Sequence, residues 1–271
     1  MADPDRGERL DNAERWLLDS LRAIRPSFVA YQTTVDMTEA LRELEQLRRA
    51  GIMATTTHQL VRAAARALAA NPALHQMIAG SRRYRPGRVD IGLSITGETF
   101  LAPVLVLEAA NEKSVGELAS EIGKRAPETQ LADRRHLERL RRWGWMVPFG
   151  LVRRAVMRRV LQSAAFQRQT AGTFQVSVVP LESAFTSVFV SSGVLVGGQV
   201  TSRVVVADGQ PAVRSMMTVA LSGDHAVWDG RAAARLLAAV RSELEAAAPE
   251  RQDEAVPRPG RAGGSAMNAG E

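Results

Sequence analysis

The chain contains no cysteine. Disulfides, thiolate-held zinc and a cysteine nucleophile are therefore excluded. Histidine is scarce. His58, His75, His136 and His225 are scattered, and no two stand four residues apart as a helical metal-binding pair does. A metal cofactor is accordingly not expected. Aromatic residues make up 5% of the chain and lie outside its arginine clusters. Single-strand nucleic-acid modules interleave bases with stacking aromatics along a basic groove, so no nucleic-acid partner is expected. Apolar runs are short and broken by arginine, and the first residues carry no apolar stretch. No transmembrane helix, membrane insertion or signal peptide is expected, and the reading is of a cytoplasmic, soluble protein.

What is present is 271 residues, 45% of them hydrophobic, with a net charge of +6. That is enough chain for one sizeable core. The excess charge is concentrated: Arg134 to Arg168 holds ten arginines and a single acid, Glu138. Patterning predicts a helix over 12–24, a strand over 27–35, and helices over 37–50 and 58–70. Strands are expected at 89–95 and 100–107, and a helix at 113–124. Two arginine-rich helical stretches then flank Trp143–Gly150. In the second, Arg153, Arg154, Arg158 and Arg159 are placed on one face and Val152, Val156 and Val160 on another. Strands at 173–179, 185–190, 200–207 and 212–221 precede a last helix from Gly230. Interleaved strands and helices predict one α/β domain over 12–248 with a basic insertion at 131–168. Residues 1–11 are read as a loose N-terminus. Residues 249–271, rich in Gly, Pro and charge, are read as a disordered tail.

The segment that carries chemistry is Leu221-Ser222-Gly223-Asp224-His225-Ala226-Val227-Trp228-Asp229-Gly230. An apolar strand delivers a histidine to a strand end, where side chains reach a site. Imidazole titrates near working pH and serves as a general base. Asp229, four residues on, returns to the same region, and Gly230 permits the turn into the last helix. Taken bare, His-x-x-x-Asp-Gly is a weak pattern.

Its surroundings are more specific. Asp208-Gly209 and Arg214, the strand Met216–Leu221 and Ser222-Gly223-Asp224-His225 resemble the approach to the active site in dihydrolipoyl acyltransferase cores of 2-oxo-acid dehydrogenase complexes. Ala226 replaces that family's arginine; His-Ala-Val-x-Asp-Gly is the form of the related chloramphenicol acetyltransferases. The likeness extends through Tyr31–Gly80, through Val89-Asp90-Ile91-Gly92-Leu93-Ser94-Ile95 with Leu101-Ala102-Pro103-Val104, and through Gly172-Thr173-Phe174-Gln175-Val176-Ser177. In matching order it covers roughly residues 12–245, with 131–168 unmatched. The sequence is identified as a free-standing member of this superfamily.

The resemblance implies a chloramphenicol acetyltransferase-like two-layer sandwich, a mixed β-sheet covered by helices, assembled as a homotrimer with acyl-CoA and acceptor entering a channel between subunits. It implies direct acyl transfer without an acyl-enzyme. His225 would deprotonate the acceptor, and Ser177 would hydrogen-bond the tetrahedral oxyanion. Asp229 would pair with an N-terminal arginine, Arg15 or alternatively Arg22. Trp228 is expected to line the channel or else to pack the core, and Phe174 to line the substrate site. No lipoyl or subunit-binding domain is expected, and Glu112-Lys113, at a helix start, is not read as a lipoyl site. The implied role is an O-acetyltransferase using acetyl-CoA, with no lipoyl group of its own. Its acceptor would be a hydroxyl of a small or polyketide-derived molecule of secondary metabolism, including antibiotic biosynthesis of the tetronate kind. A non-catalytic scaffold, or transfer involving an acidic acyl carrier protein docked on the arginines, are the alternatives. Trp143, Trp145 and Phe149 are read as roofing an acceptor channel or packing, because no long apolar face accompanies them.

Overall fold

The computed structural model describes residues 11–23, 28–99, 101–147, 149–186, 190–207 and 209–246. The expected 1–11 arm, apart from Asp11, and the expected tail lie outside these residues. A seven-stranded mixed sheet is built from β1 (Phe28–Asp36), β4 (Ile91–Ser94), β5 (Val104–Leu107), β6 (Phe174–Val178), β7 (Gly193–Gly197), β8 (Thr201–Ala207) and β9 (Gln210–Asp224). Its order is β1-β9-β7-β6-β4-β5, with β8 pairing the outer half of β9. β4, β6 and β7 run parallel, and the other pairings are antiparallel. A separate hairpin joins β2 (Met77–Ala79) and β3 (Arg82–Tyr84).

The main core lies between this sheet and the helices α3 (Thr56–Ala70) and α7 (Gly230–Glu245). Ala63, Ala64, Ala65 and Ala67 of α3 are buried. Their small side chains let the helix lie close to the sheet, where Leu195, Met217, Val219 and Leu221 meet Leu60 and Leu68. α3 starts at a capping box: Thr55 N–H donates to Nδ1 of His58 at 2.9 Å. α2 (Thr38–Arg49) is tied to α3 by a buried ion pair, Arg62 to Glu43 at 2.7 Å. Asp36, the last residue of β1, accepts the Thr38 N–H at 2.9 Å, just before α2, whose N-cap position is Met37.

The strand-side faces alternate. Phe174 and Val176 of β6 enter the main core, so Gln175 and Ser177 point to the opposite face of the sheet. There Val194, Val196 and Ala220 form a second small cluster, packed by Val179 and Ala184 from the loop after β6. The strand expected over 185–190 is not seen: Phe185, Thr186 and Val190 are not in a strand, and 187–189 lie outside the described residues. β7 begins instead at Gly193.

The other departures cluster in the basic segment. The helix expected to end at Lys124 is α4, Val115–Trp143, which passes through Pro127. The group that proline leaves without a donor is the carbonyl of Gly123, at the i−4 position. A short 3-10 turn over Gly144–Met146 leads to α5 (Gly150–Leu161) and α6 (Ala164–Ala171). α1 (Asn12–Ala23) packs on α4 and α5. The sequence reading placed Arg153 on a face with Arg158 and Arg159. Arg153 is buried against α1, donating to Asp19 at 2.7 Å, because Asp19 supplies a buried carboxylate there.

Candidate active site

His225 lies just past the end of β9, exposed, in the turn from Asp224 to Trp228 that leads to α7. That turn is pinned from several directions. Asp224 N–H donates to the Ser192 carbonyl at 3.1 Å, and the Asp224 carbonyl accepts N–H bonds from Val227 and Trp228, both at 2.9 Å. Asp224 Oδ1 accepts the Ala226 N–H at 3.0 Å. Arg83 on β3 donates Nη2 to the Ala226 carbonyl at 2.9 Å and Nη1 to Gln76 Oε1 at 2.7 Å. The residue presenting the imidazole is thus fixed while its side chain meets solvent. Arg83 and Ser192 were not found by sequence reasoning. Arg83 sits in the polar run Ser81-Arg82-Arg83-Tyr84-Arg85, and nothing in that spacing announces a contact 143 residues away.

Asp229 is the N-cap of α7, its Oδ1 accepting the Ala232 N–H at 2.7 Å. The expected Arg15–Asp229 pair is not formed within the chain. Arg15 is on the exposed side of α1 and donates to Asn12. The cause is the docking of α1: α4 and α5 hold that helix, away from the start of α7. The side chain of Arg22 lies outside the described residues. Trp228 and Phe174 are buried within the chain. They are 1% and 2% exposed, meet edge to face at 5.9 Å, and Trp228 Nε1 donates to the Ser192 carbonyl at 3.0 Å. The indole fills the space under Gly193 and Gly223, where an added Cβ would stand 2.5 and 2.3 Å from its ring. It is a core wedge that shapes the His225 turn from beneath.

Ser177 is half-buried on β6. Its register partner on β7 is Val196, which pairs with Ala220 on β9. The strand end at Asp224 is four positions further, roughly 13 Å along at ~3.3 Å per residue, and two strand spacings of ~4.8 Å away. One chain therefore does not bring Ser177 and His225 together. Trp143 and Trp145 are 53% and 63% exposed, at the corner between α4 and α5.

Elsewhere, a buried polar group joins β4, β6 and the loop after α3. His75 Nε2 and Thr173 Oγ1 are 2.8 Å apart, and Asp90 accepts from Ala109 N–H and from Arg88. Burial holds the His75 imidazole at about 4, below its usual range, and keeps it neutral. Among the described residues no group of three or more His, Cys, Asp or Glu side chains is placed to hold a metal ion. No described helix is long and apolar enough to cross a membrane.

Comparison with known proteins agrees with this architecture. A curated relative, the dihydrolipoyllysine-residue succinyltransferase component of the 2-oxoglutarate dehydrogenase complex of Bartonella vinsonii subsp. berkhoffii, is 28% identical over 185 residues, 68% of this chain. The chain spans only 38% of that relative's length. Among solved structures, a probable dihydrolipoamide acetyltransferase from Listeria monocytogenes superposes with a TM-score of 0.68 at 20% identity, covering 94% of this chain and 99% of that one. The dihydrolipoamide acetyltransferase of Azotobacter vinelandii, in which the catalytic role of a serine, a histidine and an asparagine has been investigated, gives 0.65 at 18% identity over 91% and 96% of the two chains. These share the fold. The family model for the 2-oxoacid dehydrogenases acyltransferase (catalytic domain) matches residues 13–136 and 189–251, including His225 and Asp229 but not Ser177. With more than half its length matched, the chain belongs to this family of acyltransferase catalytic domains.

Proposed function

We propose that the chain moves an acyl group directly from acyl-CoA, acetyl-CoA in the first instance, to a hydroxyl of a small acceptor, with His225 as general base. The observation that carries this reading is the placement of His225: one exposed imidazole on a turn anchored by Asp224, Arg83 and Trp228. A general base needs a fixed backbone and an accessible ring. The imidazole takes the acceptor proton as the oxygen attacks the thioester carbonyl. The tetrahedral oxyanion accepts a hydrogen bond from the Ser177 hydroxyl, an interaction worth roughly 3–4 kcal/mol in such sites. Collapse expels the CoA thiolate, which recovers the proton from the imidazolium, so no acyl-enzyme forms.

Because Ser177 and His225 are offset within one chain, the proposed site takes a second copy, and the assembly proposed for it, on the family resemblance, is a homotrimer with the site between subunits. Val204, Val206 and Val213, each more than 70% exposed on the β8–β9 hairpin, give such an assembly an apolar sheet surface to bury. A thiol acceptor is the second reading, favoured by the succinyltransferase relative, whose acceptor is a dihydrolipoyllysine residue. Incubation with acetyl-CoA and panels of hydroxylated acceptors, and separately with dihydrolipoamide, followed by mass spectrometry of products, decides between them. Ester formation supports O-acylation; thioester formation alone moves the assignment to the thiol; neither, with intact folding, leaves the scaffold role and overturns the proposal.

A further inference from the structure

The corner between α4 and α5 carries an apolar surface that the fold does not use. Trp145, Met146, Phe149 and Leu151 are 63%, 62%, 70% and 75% exposed. Trp143, Val152 and Val156 extend this surface along both helices. The sequence suggested no accompanying apolar face. The structure supplies one by turning α5 over: the polar side chains Arg153 and Arg154 face inward to Asp19, at 2.7 and 2.9 Å, and the aliphatic side faces out. A helix docked through its charges, with its apolar stripe in water, has that stripe available for another surface.

On α5 every charged residue is an arginine, and Glu138 on α4 is the single acid between Arg134 and Arg168. On α5, Leu151 and Arg158 stand seven residues apart, as do Val152 and Arg159 with Val156 between, so each apolar line ends in a guanidinium. Arg142 lies over the Trp143 ring, 5.2 Å from its centroid. Among the described residues no carboxylate stands within ion-pairing distance of Arg142, Arg158 or Arg159; the ion pairs of this region belong to Arg134, Arg141, Arg153 and Arg154.

We propose that this corner docks on the surface of an anionic lipid bilayer, with the aromatic and aliphatic side chains at the acyl boundary and the arginines among the headgroups. Indole rings favour that boundary. Long arginine side chains lay their methylenes along apolar surroundings while the guanidinium reaches phosphate. Self-association fits the charge less well, because an isologous contact sets these arginines against their own copies. The mode is interfacial, since no described helix can span.

Co-sedimentation of the full chain with vesicles tests this, using phosphatidylcholine alone and phosphatidylcholine mixed with phosphatidylglycerol. Binding is expected to the anionic vesicles and to weaken with salt. Arg158→Glu with Arg159→Glu should weaken it roughly thirtyfold or more, at ~1 kcal/mol for each arginine lost near the surface. Trp145→Ser with Phe149→Ser should weaken it roughly tenfold or more. Both pairs are exposed, so circular dichroism should match the parent protein. Absence of vesicle binding, or equal binding by parent and both variants, overturns the proposal. So does self-association without lipid that these variants abolish, which assigns the corner to a second copy, or salt-sensitive capture of an acidic carrier protein with no vesicle binding.

Discussion

Asp19 and Arg153, 134 positions apart, meet as a buried ion pair: Arg153 Nη2 lies 2.7 Å from Asp19 Oδ2, and the two side chains are 7% and 8% exposed. Arg154 reaches the other carboxylate oxygen at 2.9 Å, and Arg153 also donates to the Val147 carbonyl. The pair clamps α1 to the basic segment, aided by Trp16, whose Nε1 donates to the Gly144 carbonyl.

Removing one partner leaves the other charged and dry. Asp19→Ala is expected to cost about 3–5 kcal/mol, read as a lowered urea midpoint with unchanged slope. The double change Asp19→Leu with Arg153→Leu should recover much of that, since neither charge is then buried. A loss under about 1 kcal/mol in the single variant would show that the clamp is open in solution.

The same pair shows where sequence patterning stopped. Helical spacing placed Val152, Val156 and Val160 on one side of α5 and the arginines on another, and the usual expectation puts valines inward. A carboxylate on a helix over a hundred residues earlier reverses that orientation, and no local pattern encodes it. β7 was hidden for another reason. Gly193 and Gly197 bound it, and glycine is depleted in strands. They stand there because Trp228 and Leu60 leave no room for a Cβ. By contrast the run from β9 through Asp224-His225 to the turn into α7 at Gly230 was legible, because strand and turn each have a local signature, whereas the N-cap role of Asp229 was not read from the sequence. The pairing of Arg15 with Asp229 was carried by resemblance alone, and the docking of α1 on α4 and α5 displaces it.

His75 makes stability depend on pH. Its folded value, about 4, lies below the unfolded value near 6.5, chiefly through burial. As pH falls, the unfolded chain binds the proton first. The contribution is therefore complete above about 6.5 and is lost as pH drops toward about 4, to a total of about 3 kcal/mol. His58, also lowered by burial, acts in the same direction. Denaturation midpoints measured across this window should fall less steeply in His75→Asn than in the parent protein. Identical slopes would mean that His75 is protonated or exposed in the fold.

Gly223 couples the core to the site. A Cβ there would stand 2.3 Å from Cδ1 of Trp228. Gly223→Ala should destabilise by about 1–3 kcal/mol through overpacking and should lower turnover, because the shifted indole carries the Asp224–Trp228 turn with it. Gly123→Ala, with nothing within 4 Å of the added carbon, serves as the control. Inside α4 it should stabilise by roughly 0.5–1 kcal/mol and leave turnover unchanged. Equal effects at the two positions would remove the link between Trp228 and the His225 turn.

The central claim is that His225 of one subunit and Ser177 of another make one acyl-transfer site. His225→Ala should lose transfer by roughly two to four orders of magnitude, and Ser177→Ala should lower kcat with little change in acyl-CoA affinity. The most direct measurement is CoA release after the two variants are unfolded together, refolded and compared with each refolded alone. The account predicts that the mixture regains activity above either variant, because some interfaces contain both an intact histidine and an intact serine. Activity in the mixture no greater than the average of the two variants, or a fully active monomer by light scattering, would contradict it.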